Sequence, residues 1–210
     1  MKKFFLAILP LVCLFIASCD SAGSNATKPS ANGEVKKGVA PIADPEIAVI
    51  EMENSAAYGT IKIELYSNIA PKHVARFKEL AKEGYYSGIS FHRINQTVIQ
   101  AGDSNTKPGA AGGKVEGDSG KPHVQAEFSD IPYDTGILGA ARFGNDVNSA
   151  NSQFFIMLKR EAAFDNKYTV YGKVIEGMNN VRTIAQAPKQ EGTERPVEPI
   201  RIKSVTIVPR

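Results

Sequence analysis

Ile61-Lys62-Ile63-Glu64-Leu65 alternates apolar and polar side chains with a period of two. A strand puts successive side chains on opposite faces, so this pattern belongs to a half-buried strand. Upstream, Ile47 to Met52 is apolar-rich, and Asn54 to Gly59 supplies a connection, which predicts a hairpin. Downstream, Ala70-Pro71 opens a helix, with Pro71 suited to its first turn. Val74, Phe77, Leu80 and Ala81 share one face of it, and Gly84 can end it. Short strands are expected around 91–94, 98–101, 137–141, 154–158 and 169–175. A second helix is expected near Met178 to Ala185, with Met178, Val181 and Ile184 inward, and a last strand over Ile200 to Val208. Many strands, two separated helices and no regular βαβ alternation predict a mainly β fold, an antiparallel sheet or barrel with helices at its ends.

The N-terminal segment has a different character. Lys2 and Lys3 precede Phe4 to Ala17, an almost wholly apolar run broken by Pro10. The run is too short for a lasting bilayer span, which needs about 20 residues. It has the form of a secretory signal over residues 1–18. Its end, Ile16-Ala17-Ser18-Cys19, resembles a bacterial lipobox, in which Cys19 would carry the lipid. The competing reading is an ordinary signal peptide with a chance cysteine. The chain's two cysteines, Cys13 and Cys19, both lie here, so the rest of the chain can form no disulfide framework.

Residues 19–45 are rich in Ser, Ala, Gly, Asn, Lys and Pro and are expected to form a lipidated flexible linker. Residues 46–210 suffice for one domain that buries a core. The formal charge is +3, and loss of the two signal lysines leaves +1. With no long basic block, nucleic acid is not an expected partner. The domain is expected to be exported, tethered to a bacterial membrane facing the periplasm, and monomeric.

Two further segments carry chemistry. Phe91-His92-Arg93-Ile94 is followed by Gln100-Ala101-Gly102-Asp103, and later comes Asn148-Ser149-Ala150-Asn151-Ser152-Gln153-Phe154-Phe155-Ile156. They combine a cation, polar groups to hold it and an apolar floor. Such a site suits a neutral planar bond beside an apolar ring, such as the amide before a proline. Phe154 and Phe155 must point to opposite faces of a strand, so one belongs to the core. His73 and His123 read as surface residues, and three scattered histidines without carboxylate spacing make no metal site.

With these pieces in order, the chain resembles the bacterial cyclophilins over roughly residues 47 to 208. The matching runs are Pro71-Lys72-His73-Val74 through Phe77, Leu80 to Tyr86, Phe91-His92-Arg93, Gly136-Ile137-Leu138-Gly139, Asn148 to Ile156, and Lys167 to Gly172 with Ile175-Glu176-Gly177-Met178. The resemblance implies an eight-stranded antiparallel barrel capped by two helices, and peptidyl-prolyl cis-trans isomerase activity on proline-containing polypeptides, with no cofactor. Arg93, Gln100 and Phe155 would be the catalytic residues. His92, Val98, Ala141, Gln153, Phe164 and Tyr168 would contact substrate, His92 as a hydrogen-bonding residue rather than a general base. The resemblance assigns Phe155 to the pocket and Phe154 to the interior. The alternative function is a non-catalytic proline-binding or adhesion lipoprotein on the same scaffold.

The sequence departs from the family pattern in two places. The segment between Arg93 and Gln100 is one residue shorter than usual and lacks the Pro-Gly-Phe or Pro-Asn-Phe run, so Thr97 or Val98 replaces a pocket aromatic. Ala163 stands where an aromatic is expected, with Phe164 beside it to compensate. Weak cyclosporin binding is therefore expected. Gly117-Asp118-Ser119-Gly120 and Gly102-Asp103-Ser104-Asn105 look like hydrolase segments, but no His follows His123 to complete an esterase, and the protease form needs a far longer chain. Gly109 to Lys114 lacks the spacing of a phosphate loop.

Overall fold

The structure is a computed structural model describing residues 34–110 and 117–210. The expected signal peptide, Cys19 and the first part of the linker lie outside the described residues, as does most of the Gly109–Lys114 run. In chain order the elements are β1 (Val35–Lys36), β2 (Glu46–Met52), α1 (Ser55–Tyr58), β3 (Thr60–Leu65), α2 (Pro71–Lys82), β4 (Arg93–Ile94), β5 (Val98–Ala101), β6 (Phe128–Ser129), β7 (Ile137–Ala140), β8 (Phe154–Met157), β9 (Val170–Glu176), α3 (Met178–Ala185) and β10 (Ile202–Pro209).

Eight strands form one antiparallel sheet in the order β10-β2-β3-β9-β7-β8-β5-β4. The decisive alternation behaves as its period dictates: Ile61, Ile63 and Leu65 are fully buried, while Lys62 and Glu64 between them are half-buried. The sheet curls until its outer strands approach. The chain just before β4 then bonds to the chain entering β10, Phe91 N to Ile200 O at 2.9 Å and Ile202 N to Ile89 O at 2.8 Å. These bonds occupy backbone groups that an open edge would leave unpaired.

The concave interior holds the core. Phe154 is fully buried there, edge-to-face with Phe77, Tyr86 and Phe91 at centroid distances of 5.7, 5.7 and 6.2 Å. Its strand neighbours are Ala101 and Ala140, whose small side chains leave room for the ring. Helix α2 turns Val74, Phe77, Leu80 and Ala81 into this core, and α3 contributes Val181 and Ile184, with Met178 half-buried beside them. Helix α2 ends as its sequence requires. Gly84 adopts φ 68°, its N–H bonds to Ala81 O, and Tyr85 N reaches back to Leu80 O at 2.9 Å. That paired capping pattern needs a left-handed residue, which glycine supplies without a Cβ clash.

Four expectations are corrected. The 54–59 connection contains the one-turn helix α1, because the Asn54 side chain accepts from Ala57 N and caps it. His73 is not a surface residue. It lies one turn before Phe77 on the same helix face, 5 % exposed, with Nδ1 2.8 Å from the Glu127 carboxylate. Two short strands went unforeseen, β1 and β6, which pair in parallel outside the main sheet. Finally, residues 34–45 do not behave as free linker. Lys36 Nζ donates to Ile69 O at 2.6 Å, Gly38 N to Asp130 at 2.8 Å, Ile42 N to Asn68 at 3.0 Å, and Asp44 accepts from Ser67 and Lys78. This docking uses backbone and polar groups, which leave no apolar periodicity to read.

Candidate active site

Strand register assembles the candidate site. Arg93 on β4 pairs with Gln100 on β5, Gln100 with Phe155 on β8, and Phe155 with Gly139 on β7. Directly paired residues share a face, so these four form one row across four strands. It lies on the convex side, opposite the face that carries Phe154, Ala101 and Ala140 into the core.

The row is polar at one end and aromatic at the other. Arg93 Nη1 donates to Gln100 Oε1 at 3.3 Å, and Gln100 Nε2 donates to Gln153 Oε1 at 2.8 Å. Gln153 Nε2 in turn reaches Gly117 O at 3.3 Å. Gln100 is only 7 % exposed, so its amide geometry is fixed by these partners. Phe155 sits in a second apolar cluster with Val98, Met157, Val170, Tyr133 and Ile137. Tyr133 stacks on its ring at 5.8 Å, and Phe164 and Tyr168 stand edge-on to it, each at 5.6 Å. Phe164 thus turns toward Phe155, while Ala163 is exposed on the same turn.

The resulting cleft is lined by Arg93, Val98, Gln100, Ala141, Arg142, Phe155, Phe164 and Tyr168. Seven of these are expected site residues. Gln153 is not in the lining but supports it through Gln100, and its backbone O accepts from Ala141 N at 3.0 Å. Gln153 also lines a neighbouring depression with His123, Phe143 and Asn151, which shares Ala141 and Arg142 with the cleft. His92 stands outside both. Burial holds its imidazole below the ordinary value, against the opposing pull of the Asp103 carboxylate. Its backbone N–H donates to Gln100 O at 3.1 Å.

Sequence reasoning missed three participants. Arg142 stacks its guanidinium over Tyr168 at 4.6 Å, and donates to the backbone oxygens of Phe143, Gly144 and Lys167. It ties together the two loops that flank the cleft. Tyr133 comes from an irregular segment with no periodicity to mark it. Glu194 meets Arg93 from a loop 101 residues downstream, and its Oε2 accepts from Arg93 Nε at 2.5 Å. The arginine holds the Glu194 carboxyl below its ordinary value, against the smaller cost of burial. The short β4–β5 turn is closed by Asn95, whose Oδ1 accepts from Thr97 N and Val98 N, each at 2.8 Å. Val98, which follows this turn, lines the cleft.

A curled eight-stranded antiparallel sheet, two main helices, and a cleft on the convex face joining a held guanidinium to an aromatic floor define a cyclophilin-type protein. Residues 49–207 match the family model for cyclophilin-type peptidyl-prolyl cis-trans isomerases, and the chain belongs to that family. It is 42 % identical over 157 residues to a probable peptidyl-prolyl cis-trans isomerase of Brucella suis, covering 72 % of this chain and 78 % of the relative. A Schizosaccharomyces pombe peptidyl-prolyl cis-trans isomerase is 38 % identical over 157 residues, covering 74 % of this chain and 96 % of the relative. Among solved structures, a Cryptosporidium parvum cyclophilin-type isomerase crystallised in the presence of the dipeptide Ala-Pro superposes with a TM-score of 0.67 at 28 % identity. That match covers 78 % of this chain and 99 % of the other. The activity of this chain is peptidyl-prolyl cis-trans isomerisation.

Proposed function

We propose that the isomerisation takes place in the Arg93 cleft, on proline-containing polypeptides, and that the protein performs it on exported proteins while held at a membrane by a lipid on Cys19. An X–Pro bond rotates over a barrier of about 18–20 kcal/mol and exchanges unaided in tens to hundreds of seconds. No bond breaks, so the catalyst must bind the twisted amide better than either planar form. Twisting returns the lone pair to the proline nitrogen. The Arg93 guanidinium donates to it. Gln100 orients Arg93, and the ring floor of Phe155, walled by Val98, Phe164 and Tyr168, receives the pyrrolidine. Ala141 and its backbone dock the peptide.

The observation carrying this reading is the single cross-strand row of Arg93, Gln100 and Phe155, which sets a cation at the rim of an apolar pocket. The C. parvum relative crystallised with Ala-Pro supports the substrate class. Arg93→Ala should lower kcat/KM by about 10²–10³, the loss seen when one preorganised transition-state donor is removed. Its melting temperature should stay near wild type, and Arg93→Lys should rescue incompletely, because lysine lacks the planar fork. A folded Arg93→Ala protein with unchanged catalysis would falsify the assignment.

The tether rests on Ile16-Ala17-Ser18-Cys19 at the end of the apolar run. Several acyl chains on one cysteine hold firmly where a single chain binds marginally. Cys19→Ser should leave uncut precursor or release soluble protein on fractionation. Mature, membrane-bound Cys19→Ser protein would overturn the lipid anchor and leave the isomerase reading untouched.

A further inference from the structure

The segment between α3 and β10 folds back on itself before it reaches the site. Lys189 and Pro196 form an antiparallel bridge, Gln190 N donates to Arg195 O at 2.9 Å, and Val197 N donates to Pro188 O at 2.8 Å. Thr193 closes the tip, its hydroxyl donating to Gln190 O at 3.0 Å and accepting from Arg195 N at 3.1 Å. Glu194 therefore sits at the tip of a self-bonded finger.

That tip meets three consecutive residues of the β4 hairpin. Ile94 N donates to Glu194 O at 2.7 Å, Asn95 Nδ2 to Oε1 at 2.9 Å, and Arg93 Nε to Oε2 at 2.5 Å. The backbone bond fixes where the glutamate stands, and Asn95 fixes how its carboxylate turns. Both are set before Arg93 is considered. Arg93 is otherwise loosely held: its side chain is 46 % exposed, and its bond to Gln100 is long at 3.3 Å. The two contacts use Nε and Nη1, leaving Nη2 out of both. The bond at Nε joins two opposite charges, whereas Gln100 offers a neutral amide, so Nε carries the stronger of the two constraints on the guanidinium plane.

We propose that Glu194 is a positioning residue for catalysis: through Nε it holds the Arg93 guanidinium in the orientation that serves the rotating amide, while Gln100 holds the other edge. The proposal rests on Arg93 being the catalytic donor. The finger lies outside the strand row, and the glutamate acts on the substrate only through the arginine. Half-exposed ion pairs contribute about 0–1 kcal/mol to stability, so the pair's value for folding is small. Orientation matters far more to a reaction, where a misplacement of about 1 Å can cost 10²-fold.

The test uses the wild-type protein, Glu194→Ala, Glu194→Asp, Arg93→Ala and the Arg93→Ala/Glu194→Ala pair. Each is assayed for kcat and KM on an X–Pro peptide and for melting temperature. Glu194→Ala should lower kcat about tenfold or more with KM near wild type, the signature of an interaction felt in the transition state. Glu194→Asp should recover part of the loss. In the Arg93→Ala background, Glu194→Ala should cost nothing further, because the residue it positions is gone. A folded Glu194→Ala protein with wild-type or raised kcat overturns the proposal. So does an equal loss in both backgrounds, which would mark a structural effect independent of Arg93. If Arg93→Ala alone retains full activity, the assignment of Arg93 falls first and the proposal with it.

Discussion

Gly139 lies against the Phe155 ring so closely that a Cβ there would stand 2.4 Å from Phe155 Cζ and 2.9 Å from the Tyr133 hydroxyl. The floor of the cleft is therefore seated on bare backbone. The ring cannot yield freely, since Tyr133, Phe164 and Tyr168 hem it in at 5.6–5.8 Å. Gly139→Ala should push Phe155 toward the cleft and destabilise the domain by about 1–3 kcal/mol, the range for overpacking. KM for an X–Pro peptide should rise as the floor lifts. Wild-type KM and melting temperature in this variant would show that the contact is not binding on the ring.

What could be read beforehand divides along the range of the interactions. Ile61 to Leu65, the α2 face and the split between Phe154 and Phe155 obey local periodicities, and the structure repeats them. The Arg93–Gln100–Phe155 set was legible only through family resemblance, because a cross-strand row depends on register. Arg142 in the cleft wall, Tyr133 against Phe155 and Glu194 against Arg93 were not legible, since loops without periodicity bring them there. His73 offered a missed signal, lying four residues before Phe77 on the buried face of α2.

The half-buried Glu127 carboxylate holds the start of α2. It accepts from the backbone N–H of Lys72 and His73 and from His73 Nδ1, at 2.8–3.2 Å. A helix N-terminus has unpaired N–H groups and positive polarity, so a carboxylate there is stabilising. Burial pushes the Glu127 carboxyl up, but the His73 side chain and the two N–H groups together hold it below its ordinary value of 4.5. A depressed folded value means that the stabilisation is present above the unfolded pKa and is lost as pH falls through the folded one. Glu127→Ala should cost about 1–3 kcal/mol at neutral pH by taking the partner from the buried His73 side chain and from two N–H groups at the helix start. The gap from wild type should narrow in acid, below about pH 4.5. Urea melts at pH 7 and in acid check both statements, and a gap that widens in acid would contradict them.

The cleft also predicts a weak response to cyclosporin, the ligand that the family resemblance brings into question. The turn Ala162–Phe164 offers Phe164 to Phe155 at 5.6 Å but leaves Ala163 exposed, where the family pattern expects an aromatic wall. The β4–β5 turn, closed tightly by Asn95, presents Val98 in place of a second aromatic. Truncating a buried Phe or Trp to Ala costs about 3–5 kcal/mol, and about 1.4 kcal/mol is already a factor of ten in affinity. Inhibition of the purified protein should therefore be at least about tenfold weaker than for relatives that carry the aromatic wall. Ala163→Trp should recover part of the affinity, because the position is exposed, next in sequence to the cleft residue Phe164, and outside the Arg93 row. Binding measured by calorimetry on both proteins decides the matter: tight inhibition of the wild type, or no gain in Ala163→Trp, would show that this wall does not set the affinity.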